Sequence, residues 1–210
     1  MIKTTEVVNY LSELYPNAVC ELNYSTPFEL LVAVILSAQC TDKRVNSVTE
    51  KLFKKYNTPQ SFAQLDAKVL EKEIYSCGFY RNKAKNIIAA SKDIIERFNG
   101  EVPNTEKDLV SLAGVGKKTA KVVLSVAHNV PGIAVDTHVG RVARRIGLTK
   151  ETNPDKVSAE LESKFNKKDW SDMHYKMVLF GRYKCKSVRP DCNDCKFAKN
   201  CNFYKNNMKK

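Results

Sequence analysis

The sequence predicts an all-α fold, and three observations carry that prediction. No segment sustains the period-two alternation of a half-buried strand. Pro, Gly and Asn breakers cut the chain into segments of about ten to eighteen residues. Thr26-Pro27-Phe28-Glu29 is a complete helix start: a capping hydroxyl, a proline suited to the first helical position, and a carboxylate able to return a bond toward the cap. The following Leu30-Leu31-Val32-Ala33-Val34-Ile35-Leu36 is apolar on every side, so this helix should be central. It runs into Ser37-Ala38-Gln39-Cys40-Thr41-Asp42, the polar end of a buried helix or the rim of a site. Further helices are predicted near 43–55, 60–65, 67–76, 82–98, 105–112, 117–128, 136–146, 154–165 and 170–183. Pro103-Asn104, Asn129-Val130-Pro131-Gly132 and Thr152-Asn153-Pro154 punctuate them, and the second is the candidate domain boundary. The stretch past Lys205 reads as a frayed end.

A chain of 210 residues with 43% hydrophobic and 28% charged residues is globular, as one large domain or two small ones. Its net charge of +12 favours a polyanionic partner. Residues 182–210 hold nine Lys/Arg against two Asp, so +7 of that surplus surrounds the C-terminal cysteines. The opening Met1-Ile2-Lys3-Thr4-Thr5-Glu6 lacks a signal-peptide core. The apolar run Leu30–Leu36 is far short of the roughly 20 residues that span a bilayer. These features predict a soluble, intracellular protein with no membrane partner. Seven cysteines in a reducing compartment argue against a disulfide framework. Cys20, Cys40 and Cys77 stand isolated in sequence and read as small buried hydrophobes.

Cys185, Cys192, Cys195 and Cys201 form a C-x6-C-x2-C-x5-C array. Four clustered thiolates suit structural zinc or an iron–sulfur cluster. Zinc ribbons pair two short knuckles, whereas only Cys192/Cys195 is one here, so the spacing favours iron–sulfur. The loop between Cys185 and Cys192 carries Lys186 and Arg189. Ligation would hold both cations ready for phosphates at little ordering cost.

Leu112-Ala113-Gly114-Val115-Gly116-Lys117-Lys118-Thr119-Ala120 reads as helix, two-glycine turn, helix. Such a hairpin lets backbone approach a phosphate and offers it the N–H groups that open the second helix. Lys118 stands on that helix's first turn beside Lys117. The dipole, its cationic neighbour and burial would all favour the neutral amine, a nucleophile. The demand is large: with a reference pKa of about 10.4, about one lysine in 2,500 is neutral at pH 7, and a three-unit depression costs roughly 4 kcal/mol. A phosphate-contacting lysine is the plainer reading. Val135-Asp136-Thr137-His138 precedes another helix, where Asp136 fits an N-cap and could also face a cleft as a proton-transfer or charge-stabilising carboxylate. His138 reads as a structural histidine. Arg141, Arg144 and Arg145 read as a solvated or phosphate-facing stripe.

Together these residues resemble the endonuclease III family of DNA repair glycosylases with abasic-site lyase activity. The resemblance runs through Ser25–Leu31, Leu36-Ser37-Ala38-Gln39 with Thr41-Asp42, Gly78-Phe79-Tyr80 with Lys83-Ala84, Val135–His138, Gly181-Arg182-Tyr183 and the four cysteines. It implies two helical domains with a DNA cleft between them. One is a six-helix barrel over 20–130 with the helix–hairpin–helix at about 105–128. The other joins 1–19 to 131–210 and holds a 4Fe–4S cluster on Cys185, Cys192, Cys195 and Cys201. It also implies Lys118 as Schiff-base nucleophile and Asp136 as catalytic carboxylate. Gln39 and Phe79 would fill or wedge the gap left by an extruded base, and Gly114, Gly116, Lys117, Thr119, Lys186 and Arg189 would contact DNA. The expected substrate is duplex DNA carrying damaged pyrimidines or abasic sites, handled by a monomer. Two positions depart from the pattern: Ala113 replaces a frequent proline, and Cys40 a small residue.

Two other functions fit parts of this pattern. A monofunctional mismatch or adenine glycosylase shares the cysteines and hairpin but matches less well at Lys118, and would not nick the strand. A DNA-binding module with structural metal would bind duplex with steep salt dependence and leave the DNA unchanged.

Overall fold

The structure, a computed structural model, describes residues 2–207, and among these every regular element is helical. The chain divides into two compact units, one over Glu21–Val130 and one joining the N-terminal stretch up to Cys20 with everything from Pro131 onward.

The Glu21–Val130 unit contains α2 (Pro27–Ser37), α3 (Asp42–Leu52), α4 (Pro59–Ala63), α5 (Ala67–Glu73), α6 (Tyr80–Phe98), α7 (Glu106–Val110) and α8 (Lys117–Ala127). Helix α2 is its axis: every residue from Phe28 to Leu36 is buried, and α3, α6 and α8 pack around it. Thr26 Oγ1 accepts from the Glu29 N–H at 3.1 Å, as the start signal requires. The Glu29 carboxylate returns its bond to the Ser25 N–H at 2.6 Å, one residue ahead of the expected cap. Helix α6 packs on α4 and α5 and buries Lys83, Ile87, Ser91 and Ile94, the i, i+3 and i+4 spacing of a buried helix face.

The other unit contains α1 (Thr4–Leu14), α9 (Thr137–Ile146), α10 (Pro154–Lys164), α11 (Trp170–Leu179) and α12 (Asn202–Asn207). Its core draws Val7 and Leu11 from α1, Val139, Val142 and Ile146 from α9, Leu161 from α10, and Met173 and Met177 from α11. Sequence reading passed over α1, although Val7, Tyr10, Leu11 and Leu14 have amphipathic spacing. The helix predicted to Tyr183 stops at Leu179 and widens into a single π turn over Phe180–Lys184. The frayed end expected past Lys205 falls partly on α12, and beyond Asn207 outside the described residues.

Candidate nucleic-acid and metal site

Helix α2 ends in a polar turn whose geometry is set by a buried cation. Lys83 reaches from α6 and donates from Nζ to the Leu36 carbonyl at 2.8 Å and the Ala38 carbonyl at 2.7 Å. These are orphan acceptors at the negative end of α2, so the ammonium caps the helix and meets its dipole. Burial lowers the Lys83 pKa. Sequence reading missed this role, although the signal was available: a lysine lies on the apolar stripe of an amphipathic helix.

Gln39 follows the capped end with φ 53, and Phe79 opens α6 with φ 57. A left-handed backbone is costly for a residue as bulky as phenylalanine, and such strain collects at functional positions. Asn99 and Asn129, which tolerate this region, share it, and the fifth such residue is Arg189. Among the described residues, the positive-φ positions that are neither Gly nor Asn are Gln39, Phe79 and Arg189, each of which the family resemblance or the cysteine-loop reading marked as a DNA contact. Gln39 and Phe79 are exposed, Phe79 to 65%. Their turns adjoin, since a Cβ built on Gly78 would lie 3.6 Å from the Gln39 carbonyl oxygen. Cys40 and Cys77, isolated in sequence, act on one another there: burial above all, and then Cys40, pushes the Cys77 thiol up to about 11.

The glycine hairpin joins α7 and α8. Gly114 has φ +78, and a Cβ there would stand 2.8 Å from Asn86 Cβ. Asn86 is seven residues along from Phe79, about 10 Å at helical rise. Gly116 is different, because a Cβ there meets nothing within 4 Å. The fold does not require glycine at 116; a ligand approaching the backbone would. Lys117 and Lys118 open α8 and are exposed, and Thr119 is half-buried. The burial invoked for Lys118 is therefore not found, and its side chain lies open to solvent.

In the other unit Asp136 caps α9, its Oδ1 accepting from the Val139 N–H at 2.8 Å. The cap occupies one lone pair and leaves the second oxygen for other work. His138 is half-buried, with Nδ1 3.2 Å from Arg141 Nη2. It also explains Gly181, where a Cβ would come within 2.8 Å of the His138 Cβ.

The arginine stripe needs correcting. Arg141 donates to the carbonyls of Gly181 at 2.7 Å and Cys185 at 3.1 Å. Arg145 donates to the carbonyls of Lys186 at 2.6 Å and Ser187 at 3.0 Å, with Nη1 3.5 Å from Cys185 Sγ, and stacks over Phe203 at 3.9 Å. Only Arg144 is exposed. Two of the three therefore hold the cysteine loop by its backbone, which sequence periodicity could not reveal.

That loop is stapled at its base by Lys184 and Asp191, 3.0 Å apart, and by an Asp191 N–H bond to the Lys184 carbonyl. Tyr10 of α1 donates to the Asp194 carbonyl at 3.2 Å while packing edge-on against Phe197. Lys186 and Arg189 are exposed on the loop. Cys185, Cys192, Cys195 and Cys201 all line one small pocket, walled by Ile146, Phe180 and Phe197. Burial is the main influence raising the Cys192 and Cys195 thiols, a cost that metal binding would offset. Among the described residues no three His, Cys, Asp or Glu side chains converge on a point that could hold a single ion.

Comparison with known proteins agrees with this arrangement. Residues 32–167 match the HhH-GPD superfamily of base excision DNA repair proteins. Endonuclease III of Bacillus subtilis is 50% identical over 192 residues, covering 91% of this chain and 88% of that protein. The Escherichia coli K12 enzyme of that name is 40% identical over 201 residues, covering 96% and 95%. The solved structure of a trapped endonuclease III–DNA covalent intermediate is 44% identical, with a TM-score of 0.95 over 99% of this chain and all of that one. Among the described residues no helix is long and apolar enough to cross a membrane. The chain belongs to the endonuclease III family, within the HhH-GPD superfamily of base excision DNA repair proteins.

Proposed function

We propose that this chain removes damaged pyrimidines from duplex DNA and then nicks the abasic site by β-elimination through a Schiff base on Lys118. The observation that carries the reading is the hairpin: an exposed Lys118 on the first turn of α8, two residues after Gly116, whose surroundings are open. A covalent enzyme–DNA intermediate, as named for the 44% identical relative, needs a nucleophile of this kind. Residues on the same unit suit the extrusion of a base, with Gln39 and Phe79 held in strained, exposed turns. Extrusion costs a few kcal/mol and least for weakly stacked lesions, which accounts for a preference for damaged bases.

The neutral Lys118 amine bonds to sugar C1′, and the base leaves with the glycosidic electron pair. The amine loses a proton as the ring opens to an iminium. The iminium acidifies C2′–H; removal of that proton sends electrons to C2′–C3′ and expels the 3′-phosphate oxygen. Asp136 stabilises positive charge on the sugar and assists the proton transfers. Because Lys118 is exposed, we infer that the duplex itself supplies the desolvation that favours the neutral amine.

We assign Cys185, Cys192, Cys195 and Cys201 to a 4Fe–4S cluster, supported by their common pocket and by a sequence spacing with only one short knuckle. When bound, the cluster supplies a four-point thiolate crosslink and a redox-capable iron centre. Lys186 and Arg189 on the loop then meet phosphates, and Gly114, Gly116, Lys117 and Thr119 position the backbone of the DNA. One lesion needs one molecule, so the enzyme acts as a monomer, inside the cell where the chromosome is.

Borohydride reduction with abasic duplex tests the assignment. The wild type should give a covalent adduct and Lys118→Ala none. Asp136→Asn keeps the N-cap but should slow nicking by roughly a hundredfold or more. An adduct that persists in Lys118→Ala, or that the wild type fails to form, overturns the reading.

A further inference from the structure

Lys83 holds two turns at once, and no step described above uses it. Its backbone N–H donates to the Phe79 carbonyl at 3.1 Å, in the first turn of α6. Its Nζ donates to the Leu36 carbonyl at 2.8 Å and the Ala38 carbonyl at 2.7 Å, at the end of α2. The Ala38 carbonyl belongs to the peptide plane that enters Gln39, and the Phe79 carbonyl to the plane that leaves Phe79. One residue therefore fixes a peptide plane at each of two left-handed positions, Gln39 with φ 53 and Phe79 with φ 57 and ψ 30. Backbone of this kind persists only where surrounding bonds over-determine it. The turns also touch directly, since a Cβ on Gly78 would stand 3.6 Å from the Gln39 carbonyl oxygen. Lys83 is only 5% exposed. An apolar side chain of equal length would fill that place without the cost of burying a cation. What the ammonium contributes is the direction of two carbonyls.

We propose that Lys83 is a positioning residue that makes the Gln39 and Phe79 turns one rigid unit, so that both side chains enter the duplex together. The proposal rests on the function proposed above, in which these two residues occupy the gap left by an extruded base. Lys83 touches no substrate and acts through the turns. Unstacking a base step costs free energy whichever side chain enters first. Two side chains fixed on one unit share that cost, whereas two independent turns would each add an ordering cost of their own. Without the ammonium the Ala38 plane can turn, Gln39 relaxes toward negative φ, and Phe79 enters alone.

The test reads insertion without requiring chemistry. The full-length, cluster-loaded protein is titrated into a duplex with 2-aminopurine opposite a reduced abasic site, and the anisotropy of an end label confirms saturation. 2-Aminopurine brightens when it is unstacked. Lys83→Met keeps the volume and the main-chain bond but not the ammonium. At saturation it should give roughly half or less of the wild-type fluorescence gain. Lys83→Arg, whose guanidinium can serve both carbonyls, should recover most of the gain. Ile94→Ala, a cavity further along the buried face of α6, lowers Tm away from the turns and should keep the full gain. Gln39→Ala and Phe79→Ala complete a double-mutant cycle on affinity for the same duplex. In the wild-type background their joint effect should fall short of the product of the separate effects by roughly fivefold. In the Lys83→Met background the effects should multiply. The wild-type cycle replaces exposed residues only, so it decides the matter even if Lys83→Met fails to fold. No gain in the wild type, a full gain in Lys83→Met, an equal loss in Ile94→Ala, or multiplying effects in the wild-type cycle overturns the proposal. Normal insertion with no borohydride adduct on unreduced abasic duplex would instead strike the Schiff-base function, and the fluorescence would still decide the role of Lys83.

Discussion

Gly114 and Gly116 stand two residues apart and answer to different demands. Gly114 has φ +78, and an added Cβ would meet Asn86 at 2.8 Å. Gly114→Ala should destabilise the protein by about 1–3 kcal/mol, a drop of several degrees in Tm. Gly116 has open surroundings, so Gly116→Ala should melt like the wild type and bind abasic duplex more weakly. Thermal melts paired with duplex titrations check both. Equal effects of the two substitutions on stability would mean that Gly116 serves only the fold. Cys77 makes a pH prediction. Burial first, then Cys40, pushes its thiol up to about 11 from an ordinary 9.0. The folded state therefore holds a proton that the unfolded chain gives up. The associated stability is complete below about pH 9 and lost as pH rises through about 11. The stability advantage of wild type over Cys77→Ala should shrink across that window in alkaline denaturant titrations.

At the scale of elements, α9 joins the site's two chemistries. Its first residue follows the Asp136 cap, and its later turns send Arg141 and Arg145 to the carbonyls of Gly181 and the cysteine loop. The π turn at Phe180–Lys184 lets the chain leave α11 early enough to present Cys185, whose N–H returns to the Phe180 carbonyl at 2.7 Å. Gly181 is the residue that can lie against His138 while this happens. Arg145→Ala removes donors to the carbonyls of Cys185, Lys186 and Ser187 and the stack on Phe203. It should cost about 2 kcal/mol and accelerate loss of the visible absorption of the proposed cluster. Arg145→Lys should fall between, since an ammonium cannot serve two carbonyls and a ring in one plane. Cluster loss at the wild-type rate in Arg145→Ala would remove Arg145 from this role.

At the scale of the whole molecule, +7 of the net charge of +12 falls within residues 182–210, the stretch of sequence that holds the four cysteines. Duplex affinity should fall linearly with log salt, the slope counting phosphates neutralised. Lys186→Ala and Arg189→Ala should each reduce that slope by about one, uniformly across DNA sequences. An unchanged slope in both would show that the loop does not touch the backbone. Both units contribute to this reading, and each has its own core. The N-terminal helix belongs with the C-terminal cysteines, because Tyr10 packs on Phe197 and bonds the Asp194 carbonyl.

The sequence by itself determined the features that act locally. The Thr26–Glu29 start, the apolar run of α2, the Gly-Val-Gly turn and the C-x6-C-x2-C-x5-C spacing each state their role within about twenty residues. The class of the fold, the glycine hairpin and the cysteine array were readable because caps, periodicity and ligand spacing are short-range, whereas Gln39, Phe79 and the catalytic roles of Lys118 and Asp136 came with the family resemblance. Tertiary structure alone decided which side chains end beside which. It turned Arg141 and Arg145 from a supposed solvated stripe into clamps, made Lys83 the cap of a distant helix, brought Cys40 to Cys77, and left Lys118 in solvent. Burial and long-range partners follow from how helices pack, and one-dimensional patterning carries no record of which apolar stripe meets which.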